Sequence, residues 1–380
     1  MQAYFDHNAT TRIDQRVLEA MLPYLTDEYG NASSRHDLGT RARRAINRAR
    51  EQVAAVVGVQ PAQVVFVSGG TEANNLFTRG AAAYLKPTQV AVSAIEHPCV
   101  MKPALDLARS GWSVRKLRVG AEGFLDLGDA GEALSVPTGA VSVMLANNET
   151  GVIQPVREVA EMARAAGAWM HTDAVQALGK IAVSFEGLGV HAMTLSAHKI
   201  YGPKGAGALV IDKRLQLKPV IHGGGHEGGL RSGTENVPAI VGFGAACELA
   251  ANRLDHVARH TGLLRERLDA GLARLGAGIF GRDAPRIPNT TYFAFENIDG
   301  ETLVIELNKA GFAVASGAAC SSTSTDPSTT LLAMGVEPEL ARGAVRVSFG
   351  VTNTPEQVEQ LVSSLSTVVA RLRQLAAVAV

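Results

Sequence analysis

The chain is poor in cysteine, poor in aromatic side chains and carries no excess of charge of either sign. Three cysteines, Cys99, Cys247 and Cys320, stand far apart among 380 residues without a CxxC pair. That spacing excludes a disulfide framework and the usual zinc or cluster sites, and no metal site is expected. Lysine plus arginine number 36, as do aspartate plus glutamate, so the formal net charge is zero. No general field gathers nucleic acid or an anionic lipid surface, and direct nucleic-acid binding is not indicated. No run reaches the roughly 18 unbroken apolar residues of a membrane span. The opening MQAYFDHNATT places Asp6 where a secretory signal would have an apolar core. A cytoplasmic protein without membrane contact is the expectation. What the chain does have is a hydrophobic share of 46% against 19% charged, enough to bury a sizeable core. At roughly 150 residues per domain its length predicts two domains.

Between Ser33 and Val57, apolar residues at Leu38, Ala42, Ile46, Ala49, Val53 and Val57 follow one helical face. Short β-branched runs then alternate with helical stretches: VVFV at 64–67, VAVSAI at 90–95, VSVML at 141–145, WMHT at 169–172, MTLS at 193–196 and GALVI at 207–211. Such alternation predicts an α/β fold with a mainly parallel sheet flanked by helices. From Val237 to about Leu275 a long helical stretch follows, with a kink or break expected near Gly262. Beyond it, TYFAF at 291–295, FAVAS at 312–316 and VRVSF at 345–349 read as strands between helices at 300–310 and 355–375. That suits a smaller α+β domain. The boundaries expected are an N-terminal segment over 1–14 packed on the small domain, a large domain over 15–250 and the small domain over 251–380. The polar tract SSTSTDPSTT at 321–330 reads as a mobile surface loop.

Several residues carry possible chemistry. SGGTEANN at 68–75 joins a strand to a helix, where glycines allow a tight turn and the helix start offers N–H groups to a phosphate. A helix simply capped by Thr71 is the plain alternative. Asp173 and Lys199 each follow a strand, where ligands collect in open α/β sheets. With a phosphate-binding helix end they match the needs of pyridoxal phosphate, namely a Schiff-base lysine, an acid for the pyridine nitrogen and a phosphate cradle. A structural ion pair is the alternative. His97 could stack on a planar group or move a proton, with a structural histidine as the plain alternative. Cys99 and Cys247 read as core, whereas Cys320 heads the polar tract, a position suited to a reactive thiol, with a loop cysteine of no role as the alternative. Arg346 is either a surface charge or a fork for a carboxylate.

Taken together, YFDHNATT, GNASSRH, SGGTEANN, EHP, NNETG, HTDAVQALGK, LSAHKIYGPKGAGAL, LRSGTENVPAI, SGAACSS and VRVSFG resemble the cysteine desulfurases of the NifS and IscS type. These belong to the class V aminotransferase group of fold-type I enzymes that use pyridoxal 5'-phosphate (PLP). The resemblance implies conversion of L-cysteine to L-alanine, with a persulfide formed on Cys320 and passed to a sulfur-acceptor protein for iron-sulfur cluster assembly or tRNA thiolation. It implies that Lys199 binds the cofactor and acts as base at the substrate Cα, that Asp173 holds the pyridine nitrogen, and that Gln176 bonds the ring hydroxyl. Gly70, Thr71, Ser196 and His198 would hold the phosphate, joined by Thr234 from the second subunit of a homodimer. His97 would stack on the ring and assist proton transfer. Asn148 and Arg346 would grip the substrate carboxylate, near Asn8.

The chain departs from the family's usual pattern at His7, at Val351, and at His226 and Gly228 in GGGHEGGLRSGTEN, the last two bearing on partner contacts. Rival readings are an aminotransferase or selenocysteine lyase in the same chemistry, and a non-catalytic sulfur carrier that uses Cys320 as a ligand.

Overall fold

The structure, a computed structural model, describes residues 2–316 and 326–378. A short strand β1 (Ala3–Tyr4) precedes helices α1 (Gln15–Leu25) and α2 (Asp37–Val57). The face read from the sequence of α2 is realised, with Ala42, Ile46, Ala49, Val53 and Val57 buried. His36 caps its start by accepting the Gly39 N–H, and Gly58 ends it at φ +72°, a left-handed turn that glycine adopts without a Cβ clash.

Strands β2 (Val64–Val67), β3 (Gln89–Ser93), β4 (Ser113–Leu117), β5 (Thr138–Ser142), β6 (Trp169–Asp173), β7 (Ala192–Ser196) and β8 (Gly207–Ile211) form one sheet in the order β2-β8-β7-β6-β5-β3-β4. Strands β3 to β7 pair in parallel. β8 runs antiparallel to β7 and β2, because the few residues between Ser196 and Gly207 cannot make the dozen-residue crossover that a parallel return demands. The sequence pattern missed β4, whose SVRKL carries charges that an edge strand tolerates. Helices α3 (Gly70–Tyr84), α4 (Pro98–Asp106), α5 (Leu127–Ala133), α6 (Val156–Ala165) and α7 (Phe185–Leu188) lie in the connections.

Helix α8 (Val237–Arg274) runs unbroken, so the break that Gly262 could have made does not occur. A lone helical glycine costs about 1 kcal/mol, and packing on both sides of it outweighs that. Phe243 and Cys247 are buried in the core beneath the large sheet, while Leu264, Leu268 and Leu272 enter a second core.

That second core lies against β9 (Gly278–Ile279), β10 (Thr290–Ala294), β11 (Phe312–Ala313), β12 (Ala315–Ser316) and β13 (Val345–Ser348). Helices α9 (Gly300–Lys309), α10 (Thr329–Ala333), α11 (Pro338–Arg342) and α12 (Pro355–Val378) accompany these strands. The run FAVAS is two strands, not one: β12 joins the antiparallel sheet β12-β13-β10-β9, whereas β11 pairs in parallel with β1. The N-terminal segment is thereby strapped to this core, and Phe5 is buried between Phe312 and Phe349 at ring separations of 6.2 and 5.6 Å. Burying such a ring is worth about 1.5–3 kcal/mol.

Two predictions concern this scaffold. A Cβ on Gly207 would lie 2.7 Å from Gly69 Cα and 2.8 Å from Leu195 O. Gly207→Ala should therefore cost about 1–3 kcal/mol in urea unfolding. Gly131→Ala in α5, where a Cβ meets nothing within 4 Å, should instead stabilise by up to about 1 kcal/mol. The second concerns His171 in β6, fully buried, hydrogen bonded to Ser142 and Thr194 and stacked on Phe77. Burial lowers its pKa from 6.5 to about 3. The unfolded chain therefore takes the proton first as the pH falls. The stability His171 confers is complete above about pH 6.5 and declines below it, by up to about 1.4 kcal/mol per pH unit. His171→Gln should flatten the fall in urea-unfolding free energy between pH 6.5 and 4, and an unchanged slope would refute the assignment.

Candidate active site

At the carboxyl ends of the parallel strands the connections open onto a cavity of about 350 Å³. The turn after β2 supplies Gly70 and Thr71, the turn after β3 supplies His97, and Asn148 comes from the connection beyond β5. Asp173 and Gln176 arrive from the end of β6, and Ser196, His198 and Lys199 from the end of β7. Arg346 reaches in from β13 and Asn8 from the N-terminal segment. The residues nominated from sequence thus meet in one place, with two exceptions. Thr234 is exposed and does not line this cavity, and Cys320 lies outside the described residues. A wider cleft of about 560 Å³ near Arg164 and Phe185 gathers none of them, and its Arg157 and Arg214 are paired with Glu161 and Asp212.

Lys199 ends a short turn after β7, and its Nζ donates to the carbonyls of Asn8 at 2.5 Å and Ala9 at 2.7 Å. Two residues on, Tyr201 holds φ +68°, a conformation that costs a non-glycine residue about 1–3 kcal/mol. The strain is held by three contacts: its N–H donates to Thr11 Oγ1, its hydroxyl accepts from the Val351 N–H, and Arg253 stacks 4.5 Å over its ring. Asp173 accepts from Asn74 Nδ2 at 2.7 Å and from the Val175 N–H at 3.0 Å, so both oxygens are oriented.

His97 caps α4, its Nδ1 accepting from the Cys99 N–H at 3.2 Å with Cys99 Sγ 2.8 Å away. Burial pushes the Cys99 thiol up to about 12, so it is a thiol and a donor, and the ring proton of His97 sits on Nε2. Burial also holds His97 below its ordinary value, with Asp173 opposing and Lys199 adding to the shift. His198 is lowered to about 4 by burial and by Lys199, Lys204 and Lys180. Cys99 corrects the sequence reading: it is only partly buried and lines the cavity, because it sits in the first turn of α4, directly after the cavity residue His97.

Arg346 is nearly fully buried, which removes the surface-charge reading. It donates to Asp6 Oδ1 at 2.6 Å and to Asn148 O at 2.9 Å, and among the described residues its Nε has no partner. The sequence reading passed over two neighbours, Lys180 buried and Glu149 partly so. Glu149 accepts from the Ser328 hydroxyl and from Thr330 Oγ1 at 2.8 Å, and Lys180 Nζ bonds Asn8 and Gln176. Both sit inside quoted motifs, yet their roles depend on partners distant in sequence. At the other departures, His226 lies 3.0 Å from Ser33 Oγ and Gly228 takes φ +64°.

The cavity fits a phosphate-bearing planar cofactor. Helix α3 starts without a side-chain cap, and Ser196 Oγ at the cavity wall is buried with no partner among the described residues. A Cβ on Gly70 would stand 3.0 Å from Val175 Cγ2, so glycine keeps the cradle open.

Comparison with known proteins agrees with this geometry. Residues 3–361 match the family described as Aminotransferase class-V. A cysteine desulfurase of Sinorhizobium fredii is 43% identical over 376 residues, covering 98% of this chain and 97% of its own. A solved NifS-like protein superposes with a TM-score of 0.92 at 38% identity, over 97% of this chain and 100% of its own. A structure described as SspA in complex with cysteine gives 0.81 at 30% identity, over 91% and 98%. The fold is therefore that of the PLP-dependent fold-type I enzymes, and the chain belongs to the class-V aminotransferase family, within its cysteine desulfurase branch.

Proposed function

We propose that the chain takes sulfur from L-cysteine, releasing L-alanine, with PLP as its cofactor and Cys320 as the thiol that accepts the sulfur. The observation that carries this reading is the meeting, in one cavity, of a lysine, an oriented carboxylate, an uncapped helix start and a buried arginine. PLP bound there supplies an electron sink for the substrate's Cα and Cβ, chemistry that side chains alone lack.

The chain's own residues do the rest. Asp173 receives the pyridine nitrogen, while Gly70, Thr71, Ser196 and His198 take the phosphate with Thr234 of a second copy, as a homodimer. Lys199 holds the cofactor and moves the proton at Cα, and its amine is already steered by two backbone carbonyls. His97, with its proton on Nε2, stacks on the ring and exchanges that proton. Asn148, Arg346 and the neighbouring Asn8 receive the substrate carboxylate, for which Arg346 Nε is the donor left over.

Chain geometry supports Cys320. Before the undescribed stretch, Ala315 of β12 pairs opposite Arg346, and after it Ser328 bonds Glu149, next to Asn148. One flank therefore pairs with a cavity residue and the other bonds the neighbour of one, and Cys320 is four positions beyond Ser316. In the transfer the substrate's C–S bond breaks and an S–S bond to Cys320 forms. The persulfide then serves a sulfur-acceptor protein, such as an iron-sulfur scaffold or a sulfur carrier. A thiol that cycles in this way suits a reducing compartment, so we place the protein in the cytoplasm. Among the described residues no helix is long and apolar enough to cross a membrane.

Cys320→Ser tests the reading. With L-cysteine, PLP and a reductant, the parent chain should form alanine and sulfide in equal amounts. The serine variant should bind PLP and yield almost none of either, since a hydroxyl is un-ionised at neutral pH and a poor sulfur acceptor. Undiminished alanine from the variant would point to an aminotransferase-like enzyme instead. Arg346→Lys should raise KM for cysteine about tenfold with PLP still bound, because the charge stays and the planar fork is lost.

A further inference from the structure

Lys180 has no place in the reaction above, yet it is almost fully buried in the wall behind the cavity. Its Nζ donates to Gln176 Oε1 at 2.5 Å and to Asn8 Oδ1 at 3.0 Å, both neutral amide oxygens. Burial, with Lys199 and Arg346 adding repulsion, pushes its ammonium well below the ordinary lysine range. A buried amine facing neutral acceptors is expensive to keep, so what it imposes on them matters.

It imposes an orientation. A primary amide can flip, exchanging its donor and acceptor ends. At Gln176, Lys180 requires the oxygen, and the Asn8 carbonyl 2.9 Å from Nε2 requires the nitrogen. Gln176 is thereby fixed with one N–H on Asn8, and its second N–H remains on a side chain that lines the cavity.

We propose that Lys180 is a positioning residue that locks the Gln176 amide so that its second N–H is presented to the ring oxygen of the cofactor. The inference rests on the PLP reading given above. It makes Lys180 act on cofactor affinity through Gln176 and through no contact of its own.

Equilibrium dialysis of PLP against the full chain tests this, with folding checked by thermal melting. Lys180→Met and Gln176→Leu should each weaken PLP binding about tenfold, and the double variant should also lose about tenfold, because the two residues work through one bond. Lys180→Met within twofold of the parent, or losses that multiply to about a hundredfold in the double variant, would overturn the coupling. Should Lys180→Met fail to fold, Gln176→Glu decides: it still accepts from Lys180 but offers no donor to the cavity. Weakened binding in that folded variant supports the proposal, and parental affinity overturns it. A parent chain that binds no PLP would sink the functional reading itself, a result distinct from either of these.

Discussion

Every polar atom of Asn8 is engaged, and the two cores meet through it. Its N–H donates to Ser348 Oγ and its side-chain amide to Asn148 O and Thr290 Oγ1. Its side-chain oxygen accepts from Lys180 and Asn289, and its carbonyl from Lys199 and Gln176. The partners come from the ends of the large sheet on one side and from β10, β13 and their approach on the other. One asparagine, strapped in place by the pairing of β1 with β11, thus fixes the lysine, the glutamine and the Asn148 backbone together. Buried polar groups with all partners present are rigid, and the loss of one leaves the others unsatisfied.

The second constraint is charge. Lys199 and Arg346 crowd the cavity, while burial weakens the charge of Lys180 in its wall and holds the nearby histidines neutral, lowering His7 and His198 to about 4. Asp6 on Arg346 and the oriented Asp173 offset part of that positive field. Glu96, buried behind His97 and bonded by Ser93 and the Met144 N–H, is pushed up to about 8 and adds little negative charge. The field that remains suits a ligand with anionic groups, as a phosphate and a carboxylate both are.

Much of this was legible in the sequence, since strand-end motifs such as SGGTEANN, HTDA and SAHK put chemistry where an open sheet binds ligands. The nominated residues among them line one cavity because β-strand alternation and crossover length are local properties. What escaped depends on connections and partners that a residue's own pattern does not encode. The reversal of β8 follows from connection length, not from the strand's own residues. Cys99 looked like core by helical spacing; the His97 that its sulfur meets is only two positions away, and what the spacing could not show is that the start of α4 lines the cavity. Nothing near Lys180 announces that its acceptors are Asn8 and Gln176, the first of them 172 positions away.

The bond from the Asn8 N–H to Ser348 spans 340 positions of the chain. A ribosome adding about 5–20 residues each second needs about 17–70 s to cover that distance. The large sheet is complete in sequence at Ile211, whereas the small-sheet partners of Asn8 emerge only from Asn289 onward, so for part of that time the sheet can form while Asn8, and with it the carbonyl that steers Lys199, lacks them. Site assembly is therefore a late event of synthesis. A chain made only as far as the large sheet holds its lysine without the full asparagine clamp, and the working geometry waits for the small sheet.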